Sequence, residues 1–105
     1  MESQTQVVSE NNGARPKGAE PRRSLLQIRM DILRVVAEGS GKPTQIMYKA
    51  NLSWALLKSQ LTAFKDAGLV SVQRYGSRRL YTLTDKGAAI LDSYDRIERG
   101  LLPER

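Results

Sequence analysis

Residues 53–83 read SWALLKSQLTAFKDAGLVSVQRYGSRRLYTL, and two periodicities meet there at Gly68. Before Gly68, Leu57, Leu61 and Phe64 recur at helical spacing, while Ala55, Lys58, Ser59, Thr62 and Asp66 fall opposite, with Lys65 at the flank. Ser53 is an N-cap residue type and Gly68 a stop, so the stretch predicts a helix over Trp54–Ala67. After Gly68 the pattern changes to alternation. Leu69, Val70 and Val72 oppose Ser71, Gln73 and Arg74; turn residues fill Tyr75–Arg78; and Arg79–Leu83 resumes the strand pattern. A helix followed at once by a hairpin built around a glycine is the organising feature of the chain.

Working outward toward the N-terminus, Asn51–Leu52 makes a turn after a short helix, Thr44–Ala50. Pro43 precedes it at a position that suits a first-turn proline, and Ile46 and Met47 supply its core contacts. Ser24–Glu38 predicts a further helix, capped by Ser24 and ended by Gly39 and Gly41. Leu25, Ile28, Ile32, Val35 and Val36 share one face of it, and Asp31, Arg34 and Glu38 the other. Arg29 falls inside the apolar arc, where it must snorkel to the edge or meet a partner. Toward the C-terminus, Thr84-Asp85-Lys86 opens a helix to about Gly100, closed by Pro103. Asp85 suits the positive end of its dipole, and Asp92, Asp95 and Glu98 are expected in solvent among Arg96 and Arg99.

Residues 1–23 carry Val7–Val8 as their strong apolar residues, with Asn11-Asn12-Gly13 and two prolines. Such a segment cannot bury enough surface to offset its ordering entropy, so a disordered tail is expected there, with one domain over 24–102. The expected fold class is α+β, mostly α: a three-helix core, a two-stranded β-hairpin wing and a C-terminal helix. That order is a winged helix-turn-helix.

The formal charge of +6 is concentrated. Residues 40–83 hold Lys42, Lys49, Lys58, Lys65, Arg74, Arg78 and Arg79 against Asp66 alone, whereas the flanking segments nearly cancel. A basic excess confined to a helix-turn-helix and its hairpin is the electrostatic footprint of a nucleic-acid reader. The chain has no cysteine and no histidine, which excludes disulfides, Cys/His metal sites and catalysis by either residue. The carboxylates do not gather into an active site, and no phosphate-binding glycine loop is present. No enzyme activity, metal or cofactor is therefore expected. No apolar run is long enough to span a bilayer, and no signal-peptide core follows Met1, so the expectation is a cytoplasmic, nucleoid-associated protein.

From Arg22 to Leu101 the sequence resembles the small archaeal winged-helix DNA-binding proteins, including the ArnR-like domains and the Sulfolobus ten-kilodalton chromatin-associated type. The stretches that carry the likeness are Ile46-Met47-Tyr48-Lys49-Ala50-Asn51-Leu52-Ser53, then Leu57-Lys58, Leu61 and Gly68-Leu69-Val70, and finally Tyr81-Thr82-Leu83-Thr84-Asp85-Lys86-Gly87. The resemblance implies double-stranded DNA as partner, read by the third helix and the wing. On this chain those positions are Ser53, Trp54, Lys58, Ser59 and Thr62, and Arg74, Arg78 and Arg79. Tyr48 and Lys49, just before the turn, add candidate phosphate contacts. The family also implies a homodimer through the last helix. Ile90, Tyr94, Ile97 and Leu101, spaced 4, 3 and 4, form the matching seam, although the helix ends sooner than in chromatin-associated members.

Each candidate also has a plainer reading. Lys58, Ser59 and Thr62 suit any solvated helix face, and the arginines can guard an exposed hairpin edge. Trp54 can cover the junction with the second helix, Tyr48 can be a half-buried ring, and the seam can pack on the chain's own first helix. Two other functions stay open at this level: a winged-helix protein–protein docking module and an RNA-binding protein. A docking face should be apolar, and the one in question carries Lys58, Ser59 and Thr62.

Overall fold

The chain ends three of its helices with the same device. Gly39, Asn51 and Gly68 all take positive φ (97°, 58° and 79°), the left-handed conformation that lets a helix reverse. After each, two backbone bonds close the last turn: Gly39 and Ser40 donate to Val36 and Val35, Asn51 and Leu52 to Tyr48 and Met47, Gly68 and Leu69 to Lys65 and Phe64. Asparagine is the side chain that best tolerates this backbone where glycine is absent. Short connections follow, so neighbouring helices must fold back on one another.

The computed structural model describes residues 23–101. The elements run α1 (Leu25–Ala37), α2 (Pro43–Ala50), α3 (Trp54–Asp66), β1 (Val70–Tyr75), β2 (Arg78–Leu83) and α4 (Asp85–Leu101). Ser24 caps α1 and Ser53 caps α3, each accepting a backbone N–H through its side chain. The strands pair antiparallel, with Val72 opposite Tyr81 and Arg74 opposite Arg79. Only Gly76 and Ser77 lie between them, and Gly76 has φ 63°, as a two-residue primed turn with glycine first requires. This is the α+β, mostly helical winged architecture expected from the sequence, with element ends shifted by one residue at most of them.

Ile32, Leu33, Ile46 and Leu57 are almost wholly buried and form the centre of the core, with Leu61, Phe64, Val70, Tyr81 and Leu91 around them. Each of the large ones contributes about 1.5–3 kcal/mol by leaving water. Gly87 brings α4 close to the hairpin base, since a Cβ there would lie 2.2 Å from the Leu69 carbonyl oxygen. Thr84 ties the same corner. Its hydroxyl donates to Gly68 O at 2.6 Å and accepts from the Gly87 N–H, capping α4.

Three side chains depart from their expected surroundings. Arg29 resolves its place in the apolar arc by donating from Nε to Oε1 of Gln60 at 2.8 Å, and Gln60 is a buried polar residue on α3. Asp95 does not simply face solvent: it pairs with Arg34 at 2.5 Å and holds α4 against α1. That hydrogen bond raises the Arg34 pKa above its ordinary value. Arg23, counted with the tail on composition, belongs to the domain. Its guanidinium pairs with Asp31 at 2.9 Å and donates at 2.8 Å to the carbonyls of Ala50 and Asn51, clamping the end of α2. The rest of the expected tail, 1–22, lies outside the described residues.

Candidate nucleic-acid interface

Because Leu57, Leu61 and Phe64 point into the core, α3 must turn Lys58, Ser59 and Thr62 outward, and all three are exposed. Thr62 donates its hydroxyl to the Lys58 carbonyl at 3.0 Å, so it offers lone pairs to an incoming donor. Ser53 is committed to its capping bond with Leu56 N–H. The exposed face is mostly polar and carries no large apolar side chain beside the three, only Ala55 and Asp66.

The hairpin positions the arginines by its register. Val70, Val72, Tyr81 and Leu83 share the face directed at the core, and Arg74 and Arg79 extend that face past the domain edge. They sit directly opposite each other, an arrangement in which like charges weaken a ladder. Tyr75 pairs with Arg78 on the other face.

A cleft of about 660 Å³ opens between the wing and the two helices. Lys42, Pro43 and Thr44 border it from the start of α2, and Trp54 and Lys58 from α3. The hairpin supplies Tyr75, Ser77, Arg78, Arg79 and Leu80. Of the residues singled out in the sequence, the cleft therefore brings together Trp54, Lys58, Arg78 and Arg79. Tyr48, Lys49, Ser53, Ser59, Thr62 and Arg74 lie outside its lining. Tyr48 is 79% exposed, and Lys49 donates to the buried Ser40 hydroxyl at 2.8 Å. Lys42 and Tyr75, which the sequence reading did not single out as site residues, line the cleft as well; Tyr75 is the cross-strand partner of Arg78.

Charge pairing divides the surface. Among the described residues the ion pairs are Arg23–Asp31, Arg34–Asp31, Arg34–Asp95 and Arg96–Asp92. All lie on α1, on α4 and on Arg23, two residues before α1. None involves Lys42, Lys49, Lys58, Lys65, Arg74, Arg78 or Arg79. Nor do the described residues gather three acidic side chains where a metal ion could be held.

The expected dimer seam divides as well. Tyr94 is half-buried and packs against the chain's own core, whereas Ile90, Ile97 and Leu101 are exposed. Leu25 and Leu26 on α1 are exposed too.

The winged helix-turn-helix family pattern matches residues 22–101, most of the chain. The chain belongs to the winged helix-turn-helix family. A relative of this winged-helix chain is the uncharacterized protein MJ0290 of Methanocaldococcus jannaschii, 29% identical over 84 residues. That match covers 80% of this chain, which spans 38% of the relative's length. Among solved structures, Sso10a-2, a DNA-binding protein from Sulfolobus solfataricus, shares the fold at a TM-score of 0.61 and 24% identity, covering 75% of this chain and 85% of that one. So does the homodimeric winged helix-turn-helix DNA-binding domain of Mb0332 from Mycobacterium bovis, a possible ArsR-family regulator, at 0.64 and 23%, covering 74% and 73%. No helix among the described residues is long and apolar enough to cross a membrane.

Proposed function

We propose that this winged-helix domain binds duplex DNA and acts as a transcriptional regulator or a small chromatin-associated protein. The observation that carries the reading is the division of charge: every carboxylate-paired cation among the described residues, Arg23, Arg34 and Arg96, lies outside the helix-turn-helix and wing, whose seven cations make no such pair there. A helix about 10–12 Å across fits a major groove about 12 Å wide. With α3 in the groove, Lys58, Ser59 and Thr62 face base edges or phosphates, and Ser53, Trp54, Tyr48 and Lys49 lie toward the flanking backbone. The wing then sets Arg74, Arg78 and Arg79 on phosphates or a neighbouring minor groove. An anion between Arg74 and Arg79 also relieves the repulsion built into their register. The polar face of α3 argues against a docking module, which would need apolar anchors there.

The direct test is Arg78→Ala with Arg79→Ala. Both residues are exposed at the wing tip, so the double variant should keep its melting transition. Its affinity should fall by roughly tenfold or more on every duplex sequence alike, because phosphate contacts carry no sequence information. Unchanged binding in a mobility-shift titration would reduce the wing to an edge guard.

The homodimer is the second part of the proposal. Ile90, Ile97 and Leu101 stay exposed after Tyr94 has turned to its own core, and a second copy about a twofold axis would cover them. Such a dimer would favour two half-sites about one duplex turn apart. Ile97→Asp should shift sedimentation of a wild-type dimer to the monomer without loss of folding, since Ile97 is 62% exposed. A wild-type chain that sediments as a monomer both free and on DNA removes the dimer and leaves DNA binding standing.

A further inference from the structure

The cleft between α3 and the wing holds more than a phosphate needs. It is bordered by two aromatic side chains, Trp54 and Tyr75, which are 47% and 58% exposed, and by four cations, Lys42, Lys58, Arg78 and Arg79. No acidic residue among the described ones lines it. Two large aromatics exposed around one cleft form an apolar patch that a flat ring can cover and phosphate oxygens cannot. The α2 helix also begins at the cleft with Lys42 as its N-cap and no side-chain bond to its first amides, so its positive end is left for an anion. The volume, about 660 Å³, falls inside the range of roughly 300–1,000 Å³ typical of small-ligand sites.

We propose that this cleft takes one unpaired nucleotide of a DNA strand, its base stacked on Tyr75 beside Trp54 and its phosphate met by the surrounding cations. Aromatic platforms beside a basic groove are how proteins hold unstacked bases. The inference rests on the duplex reading, because α3 and the wing are what bring one strand's backbone to the cleft mouth. It goes beyond that reading in substrate: the domain would prefer duplex carrying an unpaired or easily extruded base over intact duplex. Extruding a paired base costs a few kcal/mol, so a base that is already unpaired should bind tighter.

The chain has one tryptophan, Trp54, so its fluorescence reports on the cleft directly. Four probes separate the possibilities: an intact duplex, the same duplex with one unpaired thymidine, the same duplex with one unpaired abasic residue, and free dTMP. The thymidine bulge should bind about tenfold or more tighter than intact duplex and quench Trp54. The abasic bulge, which adds the same backbone charge without a base, should gain nothing comparable. Tyr75→Ala should bring the ratio of bulged to intact affinity close to one, while Tyr75→Phe should keep it, since stacking needs the ring and not the hydroxyl. An abasic bulge that binds as well as the thymidine bulge would show that backbone flexibility alone is recognised and would overturn the proposal. So would an unchanged ratio in Tyr75→Ala, or dTMP saturating the quench at the concentration that the bulged duplex requires, which would make a free nucleotide the ligand. Intact duplex bound with no preference for the bulge removes this inference alone; failure to bind any duplex removes the reading beneath it as well.

Discussion

Duplex DNA binding should weaken roughly five-hundredfold when monovalent salt rises from about 50 mM to about 200 mM. The estimate follows from counterion release. Each phosphate neutralised contributes about −0.9 to the slope of log K against log salt, so about five contacts per subunit give a slope of −4 to −5. Five is a conservative share of the seven cations of residues 40–83, none of which pairs with a carboxylate among the described residues. Their pairing state is what makes the prediction sharp. A cation already held by a carboxylate exchanges one partner for another and releases little, whereas these have no carboxylate partner among the described residues to give up. Titration of one labelled duplex across salt concentrations measures the slope. A flat line would mean that this surface does not meet the DNA backbone, and the proposed function would fall with it.

The second large effect separates what α3 does for the fold from what it does for binding. Leu57→Ala should destabilise the domain by about 2–5 kcal/mol, because Leu57 is wholly buried in the same core cluster as Ile32 and Ile46 and its truncation leaves a cavity there. In a small domain that is a large part of the total stability, typically about 5–15 kcal/mol. Lys58 is the next residue and points the other way. Lys58→Ala should change stability by no more than about 0.5 kcal/mol while lowering DNA affinity. Denaturant unfolding and a mobility-shift titration of the two variants give the comparison. If Lys58→Ala unfolded the domain and Leu57→Ala left it intact, α3 would be facing the opposite way, and every residue assigned to the groove would have to be reassigned.

The order of elements was legible in the chain because each signal that sets it is local. Ser24 and Ser53 cap the helices that follow them, and Gly39, Asn51 and Gly68 end helices through their own backbone conformation. Leu57, Leu61 and Phe64 mark the buried face of α3 by spacing alone, and the charge excess of residues 40–83 needs only counting. Helix caps, helix periods and strand alternation act over a few residues, so they leave a trace in the sequence that can be read without knowing what packs where.

Tertiary structure decided the pairings between distant residues. Composition placed Arg23 with the tail, yet three hydrogen bonds to Asp31, Ala50 and Asn51 make it part of the helix-turn-helix. Arg29 had no visible partner until α1 and α3 met and brought Gln60 within 2.8 Å. Asp95 looked like one more solvated carboxylate until α4 docked beside Arg34. The seam of Ile90, Tyr94, Ile97 and Leu101 has one spacing but two environments, because the domain is wide enough to bury Tyr94 and not Ile97. The cleft is the fullest case. Lys42, Trp54 and Tyr75 come from three separate elements, and only the angle at which the hairpin leaves α3 sets them around one space. Periodicity reports which face of an element is apolar. It carries no information about what that face, or its polar opposite, will be brought against, since that depends on packing choices made by the whole chain at once.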